Sequence, residues 1–152
     1  MPLLLKENVY QQVQLEIATR IANLKLILNE MFDAAAGNDA KSSAGDKHET
    51  GIAMAQLEQE KLTHQINELL KLQASLQKIN PLLAHTKVGL GSLVETNNGW
   101  YYFSVGLGSI KIDGISLFAL NPQAPIGALL LGKTIGDKVQ FNGKTTEVLS
   151  IQ

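Results

Sequence analysis

The sequence predicts an α+β protein: an N-terminal antiparallel α-helical coiled-coil hairpin followed by a small antiparallel β domain with one short helix. Three observations predict this. Apolar residues recur at alternating three- and four-residue spacing along two long stretches of the first half. Most of the 13 glycines and most of the aromatics fall after residue 86, in short alternating runs separated by turn dipeptides. Between the halves stands Asn80-Pro81, which ends a helix because proline disfavours a helical conformation at the residue before it. The expected organisation is a hairpin over residues 1–80 with its tip near 36–49, a linker at 81–87, and a C-terminal domain at 88–152.

In the first helix the repeat runs through Tyr10, Val13, Ile17, Leu24, Ile27 and Met31, with Ile21 and Leu28 widening the stripe. The second helix resumes it at Ile52, Ala55, Leu62, Ile66, Leu69 and Leu76, with Gln59 and Gln73 as polar members. That spacing is a coiled-coil seam rather than the face of a globular core helix. Leu70, Leu72 and Ile79 lie near the base, where they can dock the second half. Each helix would run about 30 residues, or about 45 Å. Helices of matched length joined by about a dozen small polar residues at 36–48 form an antiparallel hairpin; the alternative is a pair of bundle helices that dimerises with a second copy.

In the second half, strands flank Asn97-Asn98-Gly99 and again Asn142-Gly143, and Asn-Gly is a strong hairpin signal. Residues 110–120 supply one or two further strands. Pro125 to Gly132 reads as a short helix, with proline near its first position and glycine near its end. The run Trp100-Tyr101-Tyr102-Phe103 alternates across a strand, with one face in the core and the other a docking surface.

Composition removes several function classes. Lys+Arg 13 against Asp+Glu 14 gives a net charge of −1, so no global field recruits nucleic acid or acidic lipid. With no cysteine there are no disulfides, thiolate metal sites or thiol nucleophiles, which suits a reducing cytoplasm. No window approaches the roughly 20 apolar residues of a membrane span. His64 and His85 are too far apart in sequence to suggest a histidine metal cluster.

The stretch with the most chemistry is Gly45-Asp46-Lys47-His48-Glu49-Thr50, at the start of the second helix. Asp-x-x-Glu is the spacing of a capping box, in which the two acids satisfy unpaired backbone N–H groups at a helix start for about 1 kcal/mol. The same spacing puts two carboxylates near one another in a first helical turn, able to approach one cation together. Both readings stand on the residues alone.

These residues resemble the bacterial Gre transcript-cleavage factors, whose tip signature is Gly-Asp-Leu-Ser-Glu-Asn; Lys47, His48 and Thr50 replace its Leu, Ser and final Asn. In the second half Gly91-Ser92-Leu93-Val94, Val105-Gly106, Ile115-Ser116, the run from Ala124 to Lys133 and Gly136-Asp137-Lys138-Val139 are similar in order and spacing. The resemblance implies an FKBP-like C-terminal domain docked outside RNA polymerase, with the hairpin inserted through its secondary channel. It implies that Asp46 and Glu49 act catalytically by holding Mg²⁺ shared with the polymerase, and that the tip meets the nascent RNA 3′ end. It gives Lys47, His48, Pro125, Ile126 and Gly127 as partner contacts, Lys47 and His48 being otherwise exposed side chains that offset local acidity.

Two-metal hydrolysis of a phosphodiester needs a second ion that activates water, and Mg²⁺ is held by a few carboxylate oxygens and several waters. Two acids delivered to a loosely held ion would turn polymerisation chemistry into cleavage, with the polymerase remaining the enzyme. The alternative within the same shape is a channel-binding regulator that modulates the polymerase without cleavage. A third reading, an independent prolyl isomerase, is suggested only by the FKBP-like half; that activity wants an aromatic-lined pocket, which the few aromatics outside one strand do not supply.

Overall fold

The computed structural model describes residues 4–41 and 46–152, with the side chains of 35–49 left out of the description. Its elements are α1 (Lys6–Lys41), α2 (Asp46–Gln77), β1 (Leu93–Thr96), β2 (Gly99–Phe103), β3 (Gly108–Ile112), β4 (Ile115–Leu120), α3 (Pro125–Leu130), β5 (Lys138–Phe141) and β6 (Lys144–Ile151). An N-terminal helical hairpin thus precedes a β-sheet domain with one short helix. No described helix is long and apolar enough to cross a membrane. The chain divides into two compact units, one comprising residues 1–16 and 72–152 and the other Ile17–Lys71. The division falls inside both long helices rather than at the linker, so the helix bases belong with the strands.

The hairpin helices exceed the expected length. α1 has 36 residues and α2 has 32, so they extend for about 54 and 48 Å. The expected connection at 36–48 is thereby shortened: α1 continues to Lys41 and α2 begins at Asp46. Ala34, Ala35, Ala36 and Ala40 carry the helix through Gly37, whose cost relative to alanine is about 1 kcal/mol.

Burial confirms the seam of α2 and corrects that of α1. In α2, Leu62, Ile66 and Leu76 are buried and Ala55, Gln59, Leu69 and Gln73 half-buried, while Ile52 is exposed. In α1 the stripe runs Val9, Val13, Ile17, Ile21, Leu24, Leu28 and Met31, so Leu28 occupies the seam and the expected Ile27 is exposed. Four-residue steps from Val9 to Ile21 shift the stripe enough to rotate Ile27 outward. Near the base Ile79 is buried and Leu72 half-buried as expected, but Leu70 faces solvent.

The six strands form one sheet in the order β3-β4-β2-β1-β6-β5. It is mixed rather than all antiparallel: β2 and β4 run parallel, with Tyr101 opposite Phe118. The parallel pair arises because β3 and β4 form their own hairpin and β4, rather than β3, lies beside β2. That hairpin turns on Asp113-Gly114 (φ 52° and 79°), and β5–β6 turns on Asn142-Gly143 (φ 49° and 77°). Positive φ at both central residues is the geometry that matches strand twist, and Asn, Asp and Gly tolerate it best. The β1–β2 turn sits on Asn97-Asn98, because Gly99 already pairs with Thr96.

One sheet face packs under α3, where Val88, Val94, Phe103, Leu120, Ile126, Leu130, Val139 and Val148 form a core. Gly127 makes this approach possible: a Cβ there would lie 2.6 Å from Leu120 Cδ1 and 2.9 Å from the carbonyl oxygens of Asn121 and Pro122. The opposite face aligns Leu93, Tyr102 and Ala119, all fully buried. Burial raises the Tyr102 hydroxyl pKa, with Tyr10 adding to the effect. That hydroxyl and Ser104 Oγ are buried without a hydrogen-bond partner.

Two substitutions test this packing by urea unfolding. Gly127→Ala is expected to destabilise the protein by about 1–3 kcal/mol, because two of the three clashing atoms are backbone and cannot swing away. Tyr102→Phe is expected to leave stability unchanged or raise it, since it removes a buried hydroxyl that makes no bond.

Candidate functional site

The helical hairpin positions the acidic stretch by backbone alone. Asp46 is the first residue of α2 and Glu49 stands three residues further in the same helix. Acidic residues in a first turn are favoured by the helix dipole. The side chains of Asp46, Lys47, His48 and Glu49 lie outside the described residues. Two carboxylates are hard oxygen donors suited to Mg²⁺, but they fill only part of its coordination shell, so other ligands must come from elsewhere. Among the described residues no group of three metal-ligating side chains comes together.

The shaft behind the tip can be read in detail. Phe32 lines a groove of about 450 Å³ with Gln56, Gln59, Glu60, Thr63, His64 and Asn67. Arg20 and Leu24 line another of about 410 Å³ with His64, Gln65, Glu68 and Leu69. Position 32 thus lies across from 56–67, and 20–24 across from 64–69, as an antiparallel pair requires. Both grooves are open to solvent. Among the described side chains the basic residues Arg20, Lys25, Lys61 and Lys71 alternate with Glu30, Asp33, Glu58, Glu60 and Glu68 and form no continuous basic track of the kind that follows a phosphate backbone. The Lys71–Glu68 ion pair at 3.0 Å is exposed and contributes little to stability.

In the β-domain, the expected contact residues separate. Pro125 is exposed, whereas Ile126 and Gly127 are buried on the inner side of α3, where they serve the core described above. The exposed apolar residues beside them are Leu129, Leu131 and Ile135. The sequence signal for these was the Leu129-Leu130-Leu131 run, since a helix this short cannot bury three consecutive leucines; only Leu130 points inward. The following turn is fixed by Asp137, whose carboxylate accepts from Thr134 N at 2.8 Å and from Thr134 Oγ1 at 3.2 Å. Those two hydrogen bonds hold its pKa below the ordinary value, outweighing the opposing effect of burial, and Lys133 adds least.

Of the aromatic run, Trp100, Tyr102 and Phe103 are buried and Tyr101 is half-buried. Tyr101 meets Phe118 edge-on, with ring centroids 6.4 Å apart. Phe118 is 43% exposed. The two rings line a shallow hollow of about 230 Å³ with Asn98, Ser109 and Ser116. Tyr101 also packs against the core under α3, and Trp100 and Tyr102 bury the other face of β2, so neither face is the open docking surface expected of the run.

No protein-family model and no curated protein matches the chain. Among solved structures it is similar to one described as "Structure of the transcription factor Gfh1", with 17% identity, 97% of this chain and 93% of that chain covered, and a TM-score of 0.34.

The seam of the shaft gives a direct test. Leu62→Ala and Ile66→Ala are each expected to cost about 2–4 kcal/mol, read as loss of helical circular dichroism at lower temperature. Leu57→Ala, at a position 65% exposed, is expected to stay within about 0.5 kcal/mol of wild type.

Proposed function

We propose that this protein is a transcription elongation factor of Gre type, which enters the secondary channel of RNA polymerase and stimulates hydrolysis of backtracked RNA. The observation that carries the reading is the pair of long, slender helices with Asp46 opening the second and Glu49 following in the same turn. A rod of this kind serves a site too narrow for a globular domain, and two acids at its end complete the ligand shell of an ion that another protein holds. The sequence similarity in the second half supports the same reading.

In this mechanism, Asp46 and Glu49 would hold a Mg²⁺ shared with the polymerase active site. That ion supplies charge neutralisation and an activated water when bound. The protein's own part is delivery and positioning, which lowers the barrier by fixing geometry. Pro125 and the exposed Leu129, Leu131 and Ile135 are the natural contacts for the polymerase exterior, with Ile126 and Gly127 shaping that surface from below. Lys47 and His48, standing where the family has Leu and Ser, favour a second reading in which the tip occupies the channel and modulates the polymerase without cleavage.

A stalled, backtracked elongation complex incubated with the protein and Mg²⁺ separates the two. The first reading predicts shortened RNA 3′ ends, with a rate that falls at least about tenfold in Asp46→Asn or Glu49→Gln, the loss of one charge-assisted ligand. Slowed elongation without shortening supports the second reading. Absence of binding to the polymerase contradicts both.

A further inference from the structure

Lys6 opens α1 yet is only 6% exposed, an unusual burial for a lysine. Its Nζ donates to the carbonyl oxygen of Leu83 and lies 3.4 Å from His85 Nδ1. Its backbone N–H donates to Gln152 Oε1 at 3.0 Å, while Gln152 Nε2 donates to the Leu4 carbonyl at 2.8 Å. The side chain of residue 152 therefore caps the first turn of a helix that begins 146 residues earlier. Residue 152 is itself fixed, because its backbone exchanges hydrogen bonds with Leu93 at 2.9 and 3.2 Å. All of these groups lie in one compact unit.

The geometry selects the state of the ring. An ammonium has donors and no acceptor, so Nδ1 facing Lys6 must accept, and the ring is neutral with its proton on Nε2. The backbone of Gln152 acts on the ring in the opposite sense to Lys6, favouring the protonated form, and less strongly. Protonating Nδ1 would set a second cationic N–H against the Lys6 ammonium. Lys6 is the charged side chain acting on the ring. In the loop before β1 the ring lies beside Gly91, where an added Cβ would come 3.4 Å from His85 and 3.1 Å from Ile79. Gln152 contributes a neutral amide and its backbone, and the nearby charges Glu7, Lys78 and Lys87 are exposed.

We propose that Lys6, His85 and Gln152 form a proton-operated latch that holds the 81–87 segment and the C-terminal strand on the first turn of α1 while the ring is neutral, and releases them when it is protonated. Burial first, and Lys6 second, hold the His85 pKa below its ordinary value, which is about 6.5. The unfolded chain therefore takes up the proton at higher pH than the latched form. The latch is fully effective above about pH 6.5, and its contribution is lost as pH falls through the ring's folded-state pKa.

The test combines an NMR titration of the His85 ring with amide-exchange protection factors for residues 6–10 and 152, corrected for intrinsic exchange, between pH 8 and 5. The latch predicts a ring midpoint below about 6.5 and protection that falls by about tenfold over the first pH unit in which the closed form resists protonation. His85→Asn keeps an acceptor and cannot take a proton, so its protection should stay flat across the range. Lys6→Met should raise the ring midpoint and shrink the acid loss. A wild-type ring titrating at or above its ordinary value, or protection equally pH-dependent in wild type and His85→Asn, would overturn the proposal. The wild-type titration decides the matter even where a variant fails to fold.

Discussion

Two helices that pack on each other can bury only one stripe apiece, and in this chain the depth of that stripe is graded along the shaft. Val9, Val13 and Ile17 are fully buried, Ile21 nearly so, and the positions beyond them in α1 only half-buried. α2 mirrors this from Leu76 through Ile66 and Leu62 to half-buried Gln59 and Ala55. Apolar burial supplies most of a helix's stability in a protein, so the distal shaft leans on residues with high intrinsic helix propensity, such as Ala34–Ala36 and Ala53. Along it Phe32, Met54 and Leu57 remain in solvent.

The base meets a different requirement. The helix bases share a compact unit with the strands, and the ties across it are specific. They include the Gln152 amide on the first turn of α1, the Lys6 ammonium on the Leu83 carbonyl, and Tyr10 near the buried hydroxyl of Tyr102. These contacts involve residues distant in sequence, and a one-residue change in strand register would move the buried row Leu93–Tyr102–Ala119 to the other face.

Much of this was legible from residues alone, and the failures have physical causes. The two helices, the polar seam positions Gln59 and Gln73, the short helix at Pro125 and the Asn142-Gly143 turn follow from local pattern. The extent of α1 did not, because a glycine and several small residues look like a loop until alanine propensity is weighed. Pairing is non-local, so the parallel β2–β4 neighbours could not be read from period-two alternation. The resemblance gives Ile126 and Gly127 as partner contacts, and the close packing of α3 on Leu120 adds a structural reason for those residue types. The Lys6–His85 contact spans 79 residues and has no local signature at all.

Under the proposed function, the start of α2 reaches the reacting end of an RNA held by another protein. A photo-crosslinking residue substituted at Lys47 tests it most directly in a backtracked elongation complex. The account predicts adducts with the RNA 3′ terminus or with the polymerase segments that surround its magnesium. Adducts confined to the polymerase exterior, or none under conditions where the protein is bound, would contradict it.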